Sequence, residues 1–351
     1  MSRNPWPREV VFAASIACAL FAVPGLATAA PARTGQAGDV NKILADARAA
    51  LGGEKKLGAL KTFAATGQST RVIGNTSTPP GDVEMAFELP DRFMKKDVLA
   101  MMGNNAITRT SGFNGETAIN VIDRPPAMPG MIQIRMGPDG TTPGGTPTPE
   151  QQEQQRKQQL ISGKQEFARL TLGMLLSSLT AYPLQFSYGG QAESPDGKAD
   201  IVDVKGEGGF AVRLFIDTQT HLPLMASWMA REPLVISRTV TAGGPGAPPP
   251  PSGGTGYVVA GGKQATAGGG QAMTPEERDK LIKQAQEQAK EAEAKLRVVE
   301  YRLYYGDYRD VDGIKVPFKL QQSIDGKPAE EVTLEKVKIN AKIDPKKFET
   351  K

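Results

Sequence analysis

The sequence predicts a mainly β, α+β fold: a curled antiparallel sheet or unclosed β-barrel of about 11–12 strands, lidded by helices and carrying two low-complexity, helical insertions. Three observations lead there. Long stretches alternate apolar and polar residues with a period of two, and tight turn dipeptides separate them. Part of the 39 Gly and 27 Pro among 351 residues gathers in two spacers, each followed by a helix start. A sheet of that many closely linked strands must curl, and helices near the start and middle of the chain are available to cover its concave face.

The N-terminus reads as an export signal. Arg3 and Arg8 precede an apolar run over 10–23, Pro24-Gly25 breaks it, and Ala27-Thr28-Ala29 supplies a small-residue cleavage spacing. The run is shorter than the roughly 20 residues of a membrane-spanning helix. Cleavage near Ala29 is expected over lipidation of Cys18, because the apolar run continues past that Cys instead of ending at it. The predicted organisation is a signal peptide, 1–29, and a single exported, periplasmic body, 30–351, interrupted at 137–160 and 241–295. Outer-membrane association is left open.

Within the body, a first helix is predicted over 39–51, with Asp39 as cap, Val40, Ile43, Leu44, Ala47 and Leu51 at helical spacing, and Gly52-Gly53 as the stop. Leu57 and Leu60 mark a short second turn. Strands follow at 63–73 and through Val83, Met85, Phe87 and Leu89, and after the Pro90-Asp91 turn at 92–99, 106–111, 116–122 and 131–136. Thr148-Pro149-Glu150-Gln151 opens a helix that is polar at first and amphipathic from Phe167 through Leu170, Met174, Leu175 and Leu179. A second β block, 184–240, contains strands at 199–205 and 210–217 around Gly206-Glu207-Gly208-Gly209, then at 224–229 and 234–240. The second spacer ends at Thr274-Pro275, which opens a helix to 296 whose thin apolar stripe, mostly alanine, reads as a solvated arm. The last block is a three-strand meander turned by Asp312-Gly313 and Asp325-Gly326. Its apolar phase slips by one between Leu334 and Val337, predicting a bulge near Glu335-Lys336.

Composition excludes several chemistries. With one His and one Cys, a His/Cys zinc site lacks ligands, and a nucleophilic triad would rest on His221, which falls in a turn. A net charge of +4 with 6% aromatics argues against nucleic acid. Asp307, Asp310 and Asp312 lack the EF-hand pattern, and the Gly206 turn lacks the Lys-Ser/Thr of a phosphate loop. No cofactor, metal or catalytic residue is expected, and the protein is read as a non-enzyme.

The order of several motifs resembles a known family: Ile43-Leu44-Ala45 to Leu51-Gly52-Gly53; the Phe63 strand; Glu88-Leu89-Pro90-Asp91-Arg92-Phe93; Val212 to Asp217 with Thr220-His221-Leu222-Pro223; and Tyr305-Gly306-Asp307-Tyr308 through Asp312-Gly313 to Pro317-Phe318. Together they resemble the LolA-like outer-membrane lipoprotein-sorting superfamily, as a divergent member. Where LolA has Arg directly after the Phe of its Pro-x-x-Phe-Arg motif, Met94 follows Phe93 here. The resemblance implies an unclosed barrel lidded by helices, with an apolar cavity for acyl chains of lipids or lipoproteins.

The expected function is therefore periplasmic lipid binding or lipoprotein-carrier-like transport. Phe63, Phe87, Leu89, Phe93, Leu214, Ile216, Trp228, Phe318 and Leu320 are the candidate cavity walls, with Trp228 readable as wall or as core. The alternative is a cell-envelope interaction or sensor module whose Pro/Gly-rich arms engage a protein partner.

Overall fold

The computed structural model describes residues 37–73, 76–100, 106–123, 131–132, 149–194, 197–232, 260–261 and 296–349. The signal peptide, the first spacer, strand 234–240 and the arm at 241–295, apart from residues 260–261, lie outside the described residues. The elements in chain order are α1 (Ala37–Leu51), α2 (Glu54–Gly58), β1 (Thr62–Ile73), β2 (Thr76–Ser77), β3 (Gly81–Glu88), β4 (Arg92–Ala100), β5 (Ala106–Asn114), β6 (Thr117–Asp123) and β7 (Met131–Ile132). Then come α3 (Pro149–Leu172), β8 (Gln185–Ser194), β9 (Gly197–Lys205), β10 (Ala211–Asp217), β11 (Pro223–Arg231), β12 (Ala260–Gly261), β13 (Val298–Val311), β14 (Ile314–Ile324), β15 (Lys327–Ile339) and a 3-10 turn (Pro345–Phe348).

One antiparallel sheet of 13 strands runs in the order β6-β5-β4-β3-β1-β15-β14-β13-β11-β10-β9-β8, with β2 on β1. It is not closed, since β6 and β8 form its two edges. Almost every neighbour is also the next strand in sequence, so short hairpins build two wings. The long-range joint is β1 with β15, Phe63 opposite Ile339, which ties the wings together.

The meander forms as its turns dictate. Asp312 and Gly313 (φ 53° and 80°), like Asp325 and Gly326 (51° and 74°), both sit in the left-handed region that a two-residue hairpin of this kind requires. The predicted bulge is present: Thr66 pairs with Lys336 and Gly67 with Leu334, leaving Glu335 as the extra residue. That slip turns Val332 and Leu334 onto the same face as Val337 and Ile339; the first two are buried in the main core and the other two pack half-buried against it.

This core lies on the concave face, beneath α1 and the second half of α3. Phe167 of α3 is the keystone, with ring centroids 5.3 Å from Phe87, 5.0 Å from Phe93 and 5.6 Å from Phe113. The helix can approach because Gly163 faces the backbone of Gly112, where a Cβ would lie only 3.0 Å from the Gly112 carbonyl oxygen. Two tyrosines of β13 orient its end: Tyr305 Oη donates to Arg169 O at 2.6 Å and Tyr308 Oη to Gly173 O at 2.9 Å, taking up carbonyls left open at the helix terminus. On the convex face a small second core of Ala86, Met94, Ile119 and Phe348 is covered by the 3-10 turn.

Truncating Phe167 to Ala is expected to cost about 3–5 kcal/mol, because three facing rings would line the hole it leaves. A denaturant titration checks this. Gly112→Ala should destabilise by about 2 kcal/mol or more, since φ there is 146° and a Cβ would overlap the Phe93 carbonyl. Its thermal midpoint reads that loss.

Candidate functional site

The inward rows of the strands change character along their length. On β1 the row runs Phe63, Ala65, Gly67, Ser69, Arg71; on β4 it runs Phe93, Lys95, Asp97; on β5 it runs Phe113, Ser111, Arg109; and on β15 it runs Leu334, Val332, Glu330. Antiparallel pairing places the apolar ends together under Phe167 and the polar ends together beyond it, as Asp97 opposite Arg109 and Arg71 opposite Glu330 show. At this transition α3 and the sheet line a half-open cavity of about 340 Å³. A volume of this order is typical of small-molecule sites.

Its wall is mixed. Met85, Phe93, Leu170, Trp228, Leu303, Leu320 and Val332 supply apolar surface, while Arg71, Lys95, Asp97, Arg109, Glu166, Arg169 and Glu330 bring four cations and three carboxylates. The expectation of a purely apolar interior is thereby corrected: polar residues on the concave rows are not confined to the solvent face. Of the predicted wall residues, Phe93, Trp228 and Leu320 line this cavity. Phe63 and Phe87, whose rings stack at 5.0 Å, are packed into the core instead, as are Leu214, Ile216 and Phe318, with Leu89 half-buried against it. They lie where helices fill the concavity.

Four of the charged groups form a buried cluster. Arg71 reaches Glu330 at 3.1 Å and Asp97 at 3.5 Å, and Lys95 stands 3.6 Å from Asp97, 3.7 Å from Glu330 and 3.9 Å from Glu166 of α3. Burial opposes the charge on Lys95, yet Glu330, Asp97 and Glu166 outweigh it and hold the ammonium above its ordinary range. Burial likewise opposes charge on Glu330, but Lys95 and Arg71 keep its carboxyl below the usual value. Neighbouring charges therefore win over desolvation at both residues.

Arg169 is treated differently. Its guanidinium lies 4.5 Å over the Trp228 ring and 5.4 Å from Phe210. Among the described residues its Nε is buried without a hydrogen-bond partner, and Nη2 reaches Gln165 Oε1 at 3.4 Å. Burial pulls its pKa down from the ordinary arginine value. Trp228 itself stacks on Tyr301 at 5.6 Å, so the aromatic wall is doubly backed.

Other residues weighed in the sequence take structural places. His221 sits in the β10–β11 turn at φ 56°, where Asp217 accepts from Thr220 and Gln219. Asp310 accepts from Gly313 N and Asp307 pairs with Arg309, within hairpins. No group of three or more metal-ligating side chains occurs among the described residues, and no described helix is long and apolar enough to cross a membrane.

No protein-family model matches the chain, and no curated protein matches it in sequence. Among solved structures, three that align over most of the chain do so at low similarity. A LolA superfamily protein from Nitrosomonas europaea is 8% identical, with 89% of this chain and 97% of that one covered and a TM-score of 0.38. A DUF1329 family protein from Desulfovibrio piger is 9% identical, with 88% and 97% covered and a TM-score of 0.38. A domain provisionally named as an outer membrane lipoprotein-sorting protein, from Vibrio parahaemolyticus, is 8% identical, with 89% and 96% covered and a TM-score of 0.39.

Replacing Lys95 with Met should cost about 3–5 kcal/mol, because it strips the buried carboxylates of a shared cation. The acid limb of stability should respond as well. Glu330 is depressed in the folded state, so its contribution is complete above the ordinary value of 4.5 and fades as pH falls through its lower native value. With Lys95 removed the depression shrinks, and the acid unfolding midpoint should move to higher pH, as followed by circular dichroism. The Lys95 contribution, from a pKa raised above 10.5, stays intact throughout that acid range.

Proposed function

We propose that this protein is a periplasmic, non-enzymatic lipid carrier that shelters acyl chains between α3 and the concave sheet. The observation that carries the reading is the cavity itself, about 340 Å³ bounded by seven apolar side chains on α3 and six different strands, at the point where Phe167 stops filling the concavity. Each CH₂ transferred from water into such a space contributes about 0.8 kcal/mol, so retention of a chain needs no covalent chemistry. The sequence resemblance to lipoprotein-sorting proteins and the signal-like N-terminus agree with an envelope location.

Trp228 reports occupancy, because the only other tryptophan, Trp6, lies in the predicted signal peptide. Exported protein should show a shift of tryptophan emission on titration with a fluorescent or unlabelled fatty acyl probe, and native mass spectrometry should find bound lipid. Leu303→Trp, which puts bulk on the half-buried wall, is expected to weaken acyl uptake about 10-fold while leaving the far-ultraviolet dichroism unchanged. Absence of both bound lipid and probe uptake would refute the carrier reading.

A further inference from the structure

The cavity wall holds a cation that the described residues satisfy only in part. Arg71 and Lys95 are matched by Asp97, Glu330 and Glu166, but Arg169 forms no ion pair among the described residues, and its Nε is buried without any hydrogen-bond partner. A guanidinium in that position loses hydration and gains in return the faces of Trp228 and Phe210, one long hydrogen bond to Gln165 and the more distant charge of Glu166. Arg109, exposed at the same cavity, acts on Glu330 only at a distance. The four cations therefore exceed the three carboxylates by one, and the surplus sits beside the apolar wall made by Leu170, Trp228 and Leu303.

Resting on the carrier reading, we infer that the natural cargo is an anionic single-chain amphiphile. Its carboxylate or phosphate head accepts hydrogen bonds from Arg169, with Arg109 assisting, while its chain lies along the apolar wall. Arginine suits this role because its planar fork can present two parallel N–H groups to either head while its face stays stacked on an indole. An uncharged hydroxyl head can accept a hydrogen bond from the fork but leaves its charge uncompensated. A cationic head would add repulsion to the surplus.

The test compares dodecanoate, dodecyl phosphate and uncharged dodecanol, which share one chain length, by titration calorimetry on the exported chain. The wild type should bind at least one of the two anions about 10-fold more tightly than dodecanol, the scale of a charge-assisted hydrogen bond, and the better anion names the head group. Arg169→Gln should bring that preference, taken as the ratio of the two affinities within the same variant, to within about 2-fold of unity, and Arg109→Gln, at an exposed position, should lower it about 3-fold. Equal affinity of the wild type for charged and uncharged chains overturns the inference while leaving the carrier reading intact, as does an unchanged preference in a folded Arg169→Gln protein. If Arg169→Gln fails to fold, the wild-type preference and its reduction in Arg109→Gln decide. Failure of all three chains to bind overturns the carrier reading and this inference with it.

Discussion

An open sheet leaves its concave face to whatever covers it, and here the cover is set by how α3 seats Phe167 among Phe87, Phe93 and Phe113. Burying one phenyl ring against three others supplies more than its area alone, since offset and edge-on aromatic pairs add about 0.5–1.5 kcal/mol each. A ring can still roll in its socket, so direction comes from polar contacts. The hydroxyls of Tyr305 and Tyr308 hold the helix end by its carbonyls, and Lys164 reaches Glu116 at 2.9 Å beside the other wing. With its end pinned by tyrosines and the turn before it by Phe167, the space beyond that ring stays open.

What fills the rim of that space follows from strand geometry. Inward rows repeat every second residue, so a row that begins with Phe63 or Phe93 must deliver Arg71 or Asp97 to the same face a few residues later. Antiparallel neighbours then bring these deliveries together: Asp97 meets Arg109, and Arg71 meets Glu330. Isolated, each would be costly to bury; as a cluster of Arg71, Lys95, Asp97 and Glu330 they neutralise one another. The cluster also contacts Glu166 of α3, so the polar rim helps to locate the same helix that the aromatic core holds.

The parts legible from sequence were those fixed within one or two turns of chain. The two Asp-Gly hairpins and the phase slip that places the bulge at Glu335 need only local alternation and turn chemistry. The strand β8 gave a weaker signal, since every second residue of it is exposed and the others are only half-buried at an edge. The cavity was illegible for a different reason. Lys95, Asp97 and Glu330 look like solvent-facing charges until β15 is laid beside β1, a pairing of segments more than 250 residues apart. Whether an apolar row is wall or core depends in turn on α3: Phe63 and Phe87 are core alone, Phe93 and Leu320 belong to the core and also border the cavity, and Trp228 is half-buried at its edge. Trp228 was ambiguous because its fate is decided by Arg169, which no local pattern links to it.

A chain selected only to be stable could have continued the apolar rows to the end of the strands and closed the concavity with side chains. This one instead keeps a cluster of charges on an open sheet, leaves Arg169 Nε and Asp97 Oδ1 buried without hydrogen-bond partners among the described residues, and preserves an open volume beside α3. Each of these departs from the consistency between local pattern and global packing that favours a single tight core, and departures of that kind concentrate where a protein works. The aromatic clamp and the β1–β15 joint supply enough burial for the rest of the sheet to tolerate them. The division of labour is spatial: Phe167 and its neighbours specify the fold, and the polar end of the same strands is left available to a ligand.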